Sequence, residues 1–294
     1  MKDLLEFITE SQLTAHFQLS IEEDHGSGTM QGDHSSLACF PDNLHGKAQL
    51  MIKADGLIAG MALIPRLFHH ADQQLQFTLL AKDGDTVKAG QVIMHAEGPM
   101  VSLLSIERIM LNYLQRLSGI ATQTQQMVQL IAGTKATLLD TRKTTPGWRG
   151  LEKWAVQVGG AKNHRMGLYD MIMLKDNHVD FSGGIAQAVS HATQYLKDRK
   201  WDMGIEVETR NLDEVDQALQ SPGVTRIMLD NFSPEQCKAA VQRIGNRCET
   251  EASGNLNSAT LLAYAQSGVD YLSMGALTHS VTSLDMNFKA TCKD

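Results

Sequence analysis

The chain has 294 residues, of which 43% are hydrophobic and 20% charged, and its formal net charge is -7. That length suits one large α/β domain, or a barrel with a smaller domain attached, and the acidic balance argues against a general nucleic-acid binder, which would show a basic face. The acidic opening, with Asp3, Glu6 and Glu10, lacks the basic region of a signal peptide, and no run of about 18 apolar residues suggests a membrane span.

Four cysteines, Cys39, Cys237, Cys248 and Cys292, lie far apart with no C-x-x-C pair. Reduced thiols in a cytoplasmic protein are therefore expected, rather than disulfides or a zinc site. His69 and His70 are adjacent near a turn and make a weak metal motif by themselves.

In chain order, residues 2–17 predict a short helix with Leu4, Leu5, Ile8 and Leu13 on one side. A polar, glycine-rich loop, "EEDHGSGTMQGDHSS", is expected next. "AQLMIKADGLIAGMAL" and "LQFTLLAKDGDTVKAGQVIMHAEG" then read as strands, with Asp55-Gly56 and Asp83-Gly84 as hairpin signals. From Ser102 to Ile131 the spacing turns helical, with Ile106, Met110, Tyr113 and Leu117 on one face. Residues 1–105 are thus expected to form a flanking domain, with a linking helix to about 132, and residues 106–294 a second domain.

After residue 135 short apolar runs alternate with helical stretches. The runs are "KATLLD", "YDMIMLK", "MGIEVE", "TRIMLD", "CETEASG" and "VDYLSMG". Strand alternating with helix implies parallel pairing with right-handed crossovers. Ser233-Pro234-Glu235 fits a cap, a first-turn proline and a first-turn acid. Four late strands end near Glu208, Asp230, Ala252 and Gly275, about 22 residues apart, a compact repeat more suited to a barrel than to a dinucleotide fold. Six units are legible, and "LDMNFKA" is read as a further strand. The expected architecture is α/β: an open, incomplete barrel of about seven strands beside an N-terminal domain.

In such barrels chemistry gathers at the C-terminal ends of the strands. Those ends carry Arg142 and Lys143, then Lys175, then Glu206 and Glu208, then Asp230, with His164 and Arg165 in "NHRMG" ahead of the second strand. Cations on one side of a cleft and acids on the other imply a multiply anionic substrate, because arginine pairs with planar carboxylates and lysine acts as a mobile charge for phosphate. Ser253-Gly254 and Gly275-Ala276 offer backbone N–H groups at late loops, where barrels hold phosphate. Glu206 and Glu208 share one face of a strand, and inside a barrel they require basic partners. "GSGTMQG" has the wrong glycine spacing for a dinucleotide fingerprint.

The segments "TRKTTPG", "GGAKNHRMGLYDMIMLKDNH", "EVE" and "MLDN", with "IERIMLNYLQRLSGIAT" before them and "SMGALTHSV" after, resemble the quinolinate phosphoribosyltransferase family (nicotinate-nucleotide pyrophosphorylase, carboxylating). The resemblance runs from about residue 98 to 285. It implies an N-terminal α/β sandwich domain joined to an open seven-stranded α/β barrel, in a homodimer with shared active sites. The implied reaction joins quinolinate to phosphoribosyl pyrophosphate, giving nicotinate mononucleotide, pyrophosphate and carbon dioxide, with magnesium accompanying the pyrophosphate and no organic cofactor.

By matching positions, Arg142, His164, Arg165 and Lys175 would hold quinolinate, and Arg108 would reach it from the partner subunit. Lys143 would meet the pyrophosphate or ribose, while Glu208 and Asp230 would face the ribose hydroxyls and magnesium. The phosphate would rest against Ser253, Gly254, Asn255, Gly275 and His279, with Lys175 nearby. Arg149 and Lys153 would support these groups. Between Glu206 and Glu208 for the ribose, the spacing to Asn211-Leu212 favours Glu208.

Overall fold

Thr9 caps the first helix, α1 (Glu10–His25), through a capping box with Gln12, and Gly26, at φ 71°, ends it. The helix thus runs on through Glu22, Glu23 and Asp24, where loop was expected, because no residue before Gly26 breaks it. Asp33 caps α2 (His34–Cys39) by accepting the N–H groups of Ser35 and Ser36. The computed structural model describes residues 2–41 and 44–291, so Cys292 lies outside the described residues.

The chain continues as β1 (His45–Ile52), β2 (Gly56–Leu57), α3 (Ile64–Ala71), β3 (Gln76–Leu79), β4 (Thr86–Val87), β5 (Val92–Pro99) and the long α4 (Met100–Leu130). There follow β6 (Thr137–Leu139), α5 (Arg149–Val158), β7 (Ile172–Leu174), α6 (Asp176–Ser182), α7 (Ile185–Arg199), β8 (Ile205–Thr209), α8 (Leu212–Leu219), β9 (Val224–Asp230), α9 (Pro234–Ile244), β10 (Glu249–Ser253), α10 (Leu261–Gln266), β11 (Tyr271–Ser273), α11 (Ala276–His279) and β12 (Met286–Ala290). The chain folds into two compact units: Met1–Gln125 with Gly150–Gly160 and Val281–Asp294, and Gln126–Arg149 with Ala161–Ser280. Among the described residues, no helix is long and apolar enough to cross a membrane.

The first unit contains an antiparallel sheet in the order β12-β1-β5-β3. Ile106, Met110, Tyr113 and Leu117 of α4 are buried, as their spacing predicts. Two expectations need correction here. "LDMNFKA" is a strand, β12, but it pairs antiparallel with β1 rather than joining the parallel sheet. Between Ser273, where β11 ends, and Met286, where β12 begins, the connecting helix α11 has four residues, too short to cover a sheet face as a parallel crossover usually does.

The two Asp-Gly pairs do not close hairpins either. Gly56 instead pairs β2 with β4, at a place where a Cβ would lie 2.7 Å from Thr122 Oγ1 and Leu284 Cδ1. Asp83 accepts the N–H groups of Gly60, Met61 and Ala62 at 2.6, 2.8 and 2.9 Å. Asp83-Gly84 does form a tight turn, closed by the Asp85 N–H on the Lys82 carbonyl at 3.1 Å, but the strands on either side, β3 and β4, pair with β5 and β2 instead of with each other.

In the second unit six strands run parallel in the order β6-β11-β10-β9-β8-β7. These are the six apolar runs read from the sequence. β6 and β7 are edges that do not pair with each other, so the barrel is open, and a single parallel bridge from Leu139 to Lys162 extends the β6 edge. Alternation along the strands sends Val207, Ile227, Leu229, Ala252 and Leu272 into the apolar core. It leaves Glu206, Glu208, Met228, Asp230, Glu251 and Ser253 on the inner face.

Candidate active site

At the C-terminal ends of these strands lies a cavity of about 600 Å³. Thr141, Arg142 and Lys143 enter it after β6, His164 and Arg165 from the loop before β7, and Met173 and Lys175 from β7 and its end. Glu208, Met228, Asp230 and Asn231, Ser253 to Asn255, and Ser273 complete the lining from β8 to β11.

Local hydrogen bonds explain why the cationic loops stand where they do. The buried Asp140 closes β6, accepting the His164 N–H at 2.9 Å and the Asn163 side chain at 2.6 Å. Arg149 reaches Thr144 Oγ1 at 3.1 Å and the Met166 carbonyl at 3.2 Å, tying together the loops that carry Lys143 and Arg165. The Lys143 carbonyl accepts the Thr278 hydroxyl at 2.8 Å, which holds α11 against the same loop.

The charges are unevenly paired. Lys175 Nζ sits 3.0 Å from Glu208 Oε2. Arg142 Nε is buried and meets no hydrogen-bond acceptor. The Arg165 guanidinium is held below its usual pKa, first by burial and then by the like charge of Arg142. Two arginines brought together repel each other, although Glu206 and Asp170 offset part of the charge on Arg165, and an anion would suit the place between them.

Beneath the cavity, His164 Nε2 lies 3.0 Å from Glu206 Oε2 and 3.3 Å from Glu251 Oε1, and both carboxylates are fully buried. Burial works against charge on the ring, while the two carboxylates oppose it and strengthen the hold on a proton at Nε2. Glu206 is pushed up by burial first and by the charge of Glu251 second. Nδ1 already accepts the Arg165 N–H at 2.7 Å, so the ring carries its single hydrogen on Nε2, toward the carboxylate pair, and a further proton in the group belongs to the raised Glu206 carboxyl.

The far wall rests on three left-handed residues, Asn231 at φ 57°, Gly254 at φ 92° and Asn255 at φ 53°. Asn231 donates to Ser253 O through its backbone at 2.9 Å and to Asp230 Oδ2 through its side chain at 2.7 Å, and it accepts from Asn255 Nδ2 at 3.2 Å. Two carboxylates facing the cavity, Glu208 and Asp230, are hard oxygen donors of the kind that suits magnesium brought in on a phosphate.

The cavity therefore gathers Arg142, Lys143, His164, Arg165, Lys175, Glu208, Asp230, Ser253, Gly254 and Asn255. Glu206 is not part of the lining; Glu208 is. Gly275 and His279 also stand off the lining, although a Cβ on Gly275 would lie 3.0 Å from both Lys143 Cδ and His279 Nε2. Arg108 is exposed on α4 and Lys153 is fully buried on α5, and neither lines the cavity. Met173, Met228, Ser273 and the buried Glu251 and Arg226 are residues that motif reading passed over. Counting back two positions from Lys175, Asp230 and Ser253 reaches Met173, Met228 and Glu251.

Comparison with known proteins agrees with this geometry. Residues 33–118 match the model of the quinolinate phosphoribosyl transferase N-terminal domain and residues 120–289 that of its C-terminal domain. The chain is 43% identical over 291 residues to a protein of Arabidopsis thaliana named nicotinate-nucleotide pyrophosphorylase [carboxylating], chloroplastic, covering 94% of this chain and 82% of that one. It is 40% identical to a Bacillus subtilis protein named probable nicotinate-nucleotide pyrophosphorylase [carboxylating], over 95% and 93% of the two chains. A crystal structure of NadC from Streptococcus pyogenes superposes with a TM-score of 0.91 at 37% identity, with both chains fully covered. With two domain models that between them span both compact units and a cationic cavity where the second unit's strands end, the chain belongs to the quinolinate phosphoribosyltransferase family.

Proposed function

We propose that this chain transfers the phosphoribosyl group of phosphoribosyl pyrophosphate to quinolinate and releases carbon dioxide, giving nicotinate mononucleotide and pyrophosphate for de novo NAD synthesis. The observation that carries the reading is the closeness of Arg142 to Arg165 in a cavity that Glu208 and Asp230 also line. Quinolinate brings two adjacent carboxylates, and two guanidinium groups with Lys175 match that pattern. His164 closes the floor beneath them.

The pyridine nitrogen attacks C1′ of the ribose while the bond to pyrophosphate breaks. Lys143 neutralises the leaving pyrophosphate, and Glu208 and Asp230 stabilise the oxocarbenium character at C1′. Glu208 and Asp230 would hold the magnesium that accompanies the pyrophosphate, and the ion would supply further charge neutralisation there. Ser253, Gly254 and Asn255 cradle the phosphate, with Gly275 and His279 supporting that end. Loss of carbon dioxide leaves an electron pair on C2, stabilised by the adjacent positively charged ring nitrogen, and C2 then takes up a proton. No enzyme nucleophile is needed; orientation and charge supply the rate. The free thiols of Cys39, Cys237 and Cys248 suit a reducing compartment, and we place the reaction in the cytoplasm.

The test is direct: purified protein with phosphoribosyl pyrophosphate and carboxyl-labelled quinolinate should release labelled carbon dioxide and form the mononucleotide in equal amounts. Turnover of nicotinate without carbon dioxide release would sink the assignment.

The working form is proposed as a homodimer in which the exposed Arg108 of one subunit completes the partner's cavity. Arg108→Ala and Lys143→Ala proteins, each nearly inactive, are expected to regain activity when refolded together. Random pairing makes half the dimers mixed, and each has one intact site, so recovery should approach about one quarter of wild type. Mixtures no more active than their parents would exclude sharing through these two residues.

A further inference from the structure

Under the cavity sit ionisable groups that no step above uses. Glu206 and Glu251 are fully buried, and Arg226 is 9% exposed. Register places them in one layer: Glu206 on β8 lies opposite Arg226 on β9, which lies opposite Glu249 on β10. Arg226 Nη1 is 2.9 Å from Glu251 Oε2, its Nη2 is 2.8 Å from Glu249 Oε2, and its guanidinium carbon lies 4.0 Å from the Tyr271 ring centroid. Buried charge of this density costs more than an apolar layer would. Its upper end is His164, and both nitrogens of that ring are engaged inside the protein.

We propose that Glu206, Glu251 and Arg226 are positioning residues for the carboxylate subsite: they orient His164 from below, and His164 Nδ1 holds the Arg165 backbone and so aims its guanidinium. The carboxylates face Nε2 and keep its hydrogen there, which leaves Nδ1 as an acceptor for the Arg165 N–H. Asp140 pins the other side of the segment through the His164 N–H, and Arg165 Nη1 is fixed on the Met171 carbonyl at 3.2 Å. The donor atoms of His164, Glu206 and Glu251 lie within 4.8 Å of one another, as metal ligands would. The Arg226 guanidinium on Glu251 already supplies the counter-charge, so a proton rather than a divalent cation completes the group.

This proposal rests on the reading of Arg165 as a ligand of quinolinate. Glu206→Gln and Glu251→Gln are expected to raise KM for quinolinate about tenfold or more, since misplacing a binding group by an ångström costs up to about 100-fold. KM for phosphoribosyl pyrophosphate should stay within about twofold. His164→Asn, whose Oδ1 stands where Nδ1 does, should keep more quinolinate affinity than His164→Gln, which lacks an acceptor there. Nitrogen-15 NMR of histidine-labelled wild type should show His164 protonated at Nε2 and not at Nδ1. Folded Glu251→Gln protein with unchanged KM for quinolinate overturns the proposal. So does a wild-type spectrum with Nδ1 protonated, whether or not the variants fold, or one equivalent of metal retained by the purified protein. If wild type fails to bind quinolinate by calorimetry, the functional reading itself fails, and the proposal falls with it.

Discussion

Arg165→Ala is expected to lower kcat/KM for quinolinate by about 100- to 1000-fold, the loss typical of removing one charged or oriented donor from a reacting anion. The thermal midpoint should hardly move. Arg165 is desolvated beside a like charge, and its pKa is held down for that reason, so the folded apoprotein gains little from it. Removing the guanidinium relieves repulsion with Arg142 while leaving a space that the cavity can fill with water. Arg165→Lys should not restore activity, because an ammonium lacks the planar fork that matches a carboxylate at two points. Kinetics and a thermal melt on the same samples separate the two effects. A variant within twofold of wild-type kcat/KM would remove Arg165 from the anion site.

The second large effect is expected at Gly254, for a steric reason. A Cβ there would lie 2.2 Å from Asn231 Oδ1 and 3.0 Å from Asn231 N, in a backbone conformation at φ 92° that side chains rarely adopt. Asn231 cannot simply swing aside, because its backbone is tied to Ser253 and its amide to Asp230. Gly254→Ala should therefore displace Asp230 and lower kcat by at least about 100-fold, with a stability loss of about 1–3 kcal/mol from the strained backbone. Gly275→Ala is the control. That glycine has φ -64°, and its added Cβ would meet the flexible end of Lys143 and the His279 ring at 3.0 Å. Its loss should be several-fold only. Equal effects at the two glycines would show that the Asn231 contact does not govern the site.

Much of this molecule follows from short-range rules. The six parallel strands were legible because each is a brief apolar run between helical stretches, and the cationic and acidic ends of those runs stood out against apolar neighbours. The Ser233 capping box is likewise a local event within a few residues of chain. What the residue order could not decide was partnership over distance. β12 carries the same apolar alternation whether it pairs with β1 or joins the barrel, and pairing in space decides for β1. Glu206 and Glu208 look alike on one strand. Tertiary packing makes one the buried partner of His164 and the other the cavity-lining partner of Lys175. Glu251 and Arg226 lie 25 residues apart in sequence, and no local pattern links them. Strand register brings them together, because a buried carboxylate is tolerated only where the fold delivers its counter-charge.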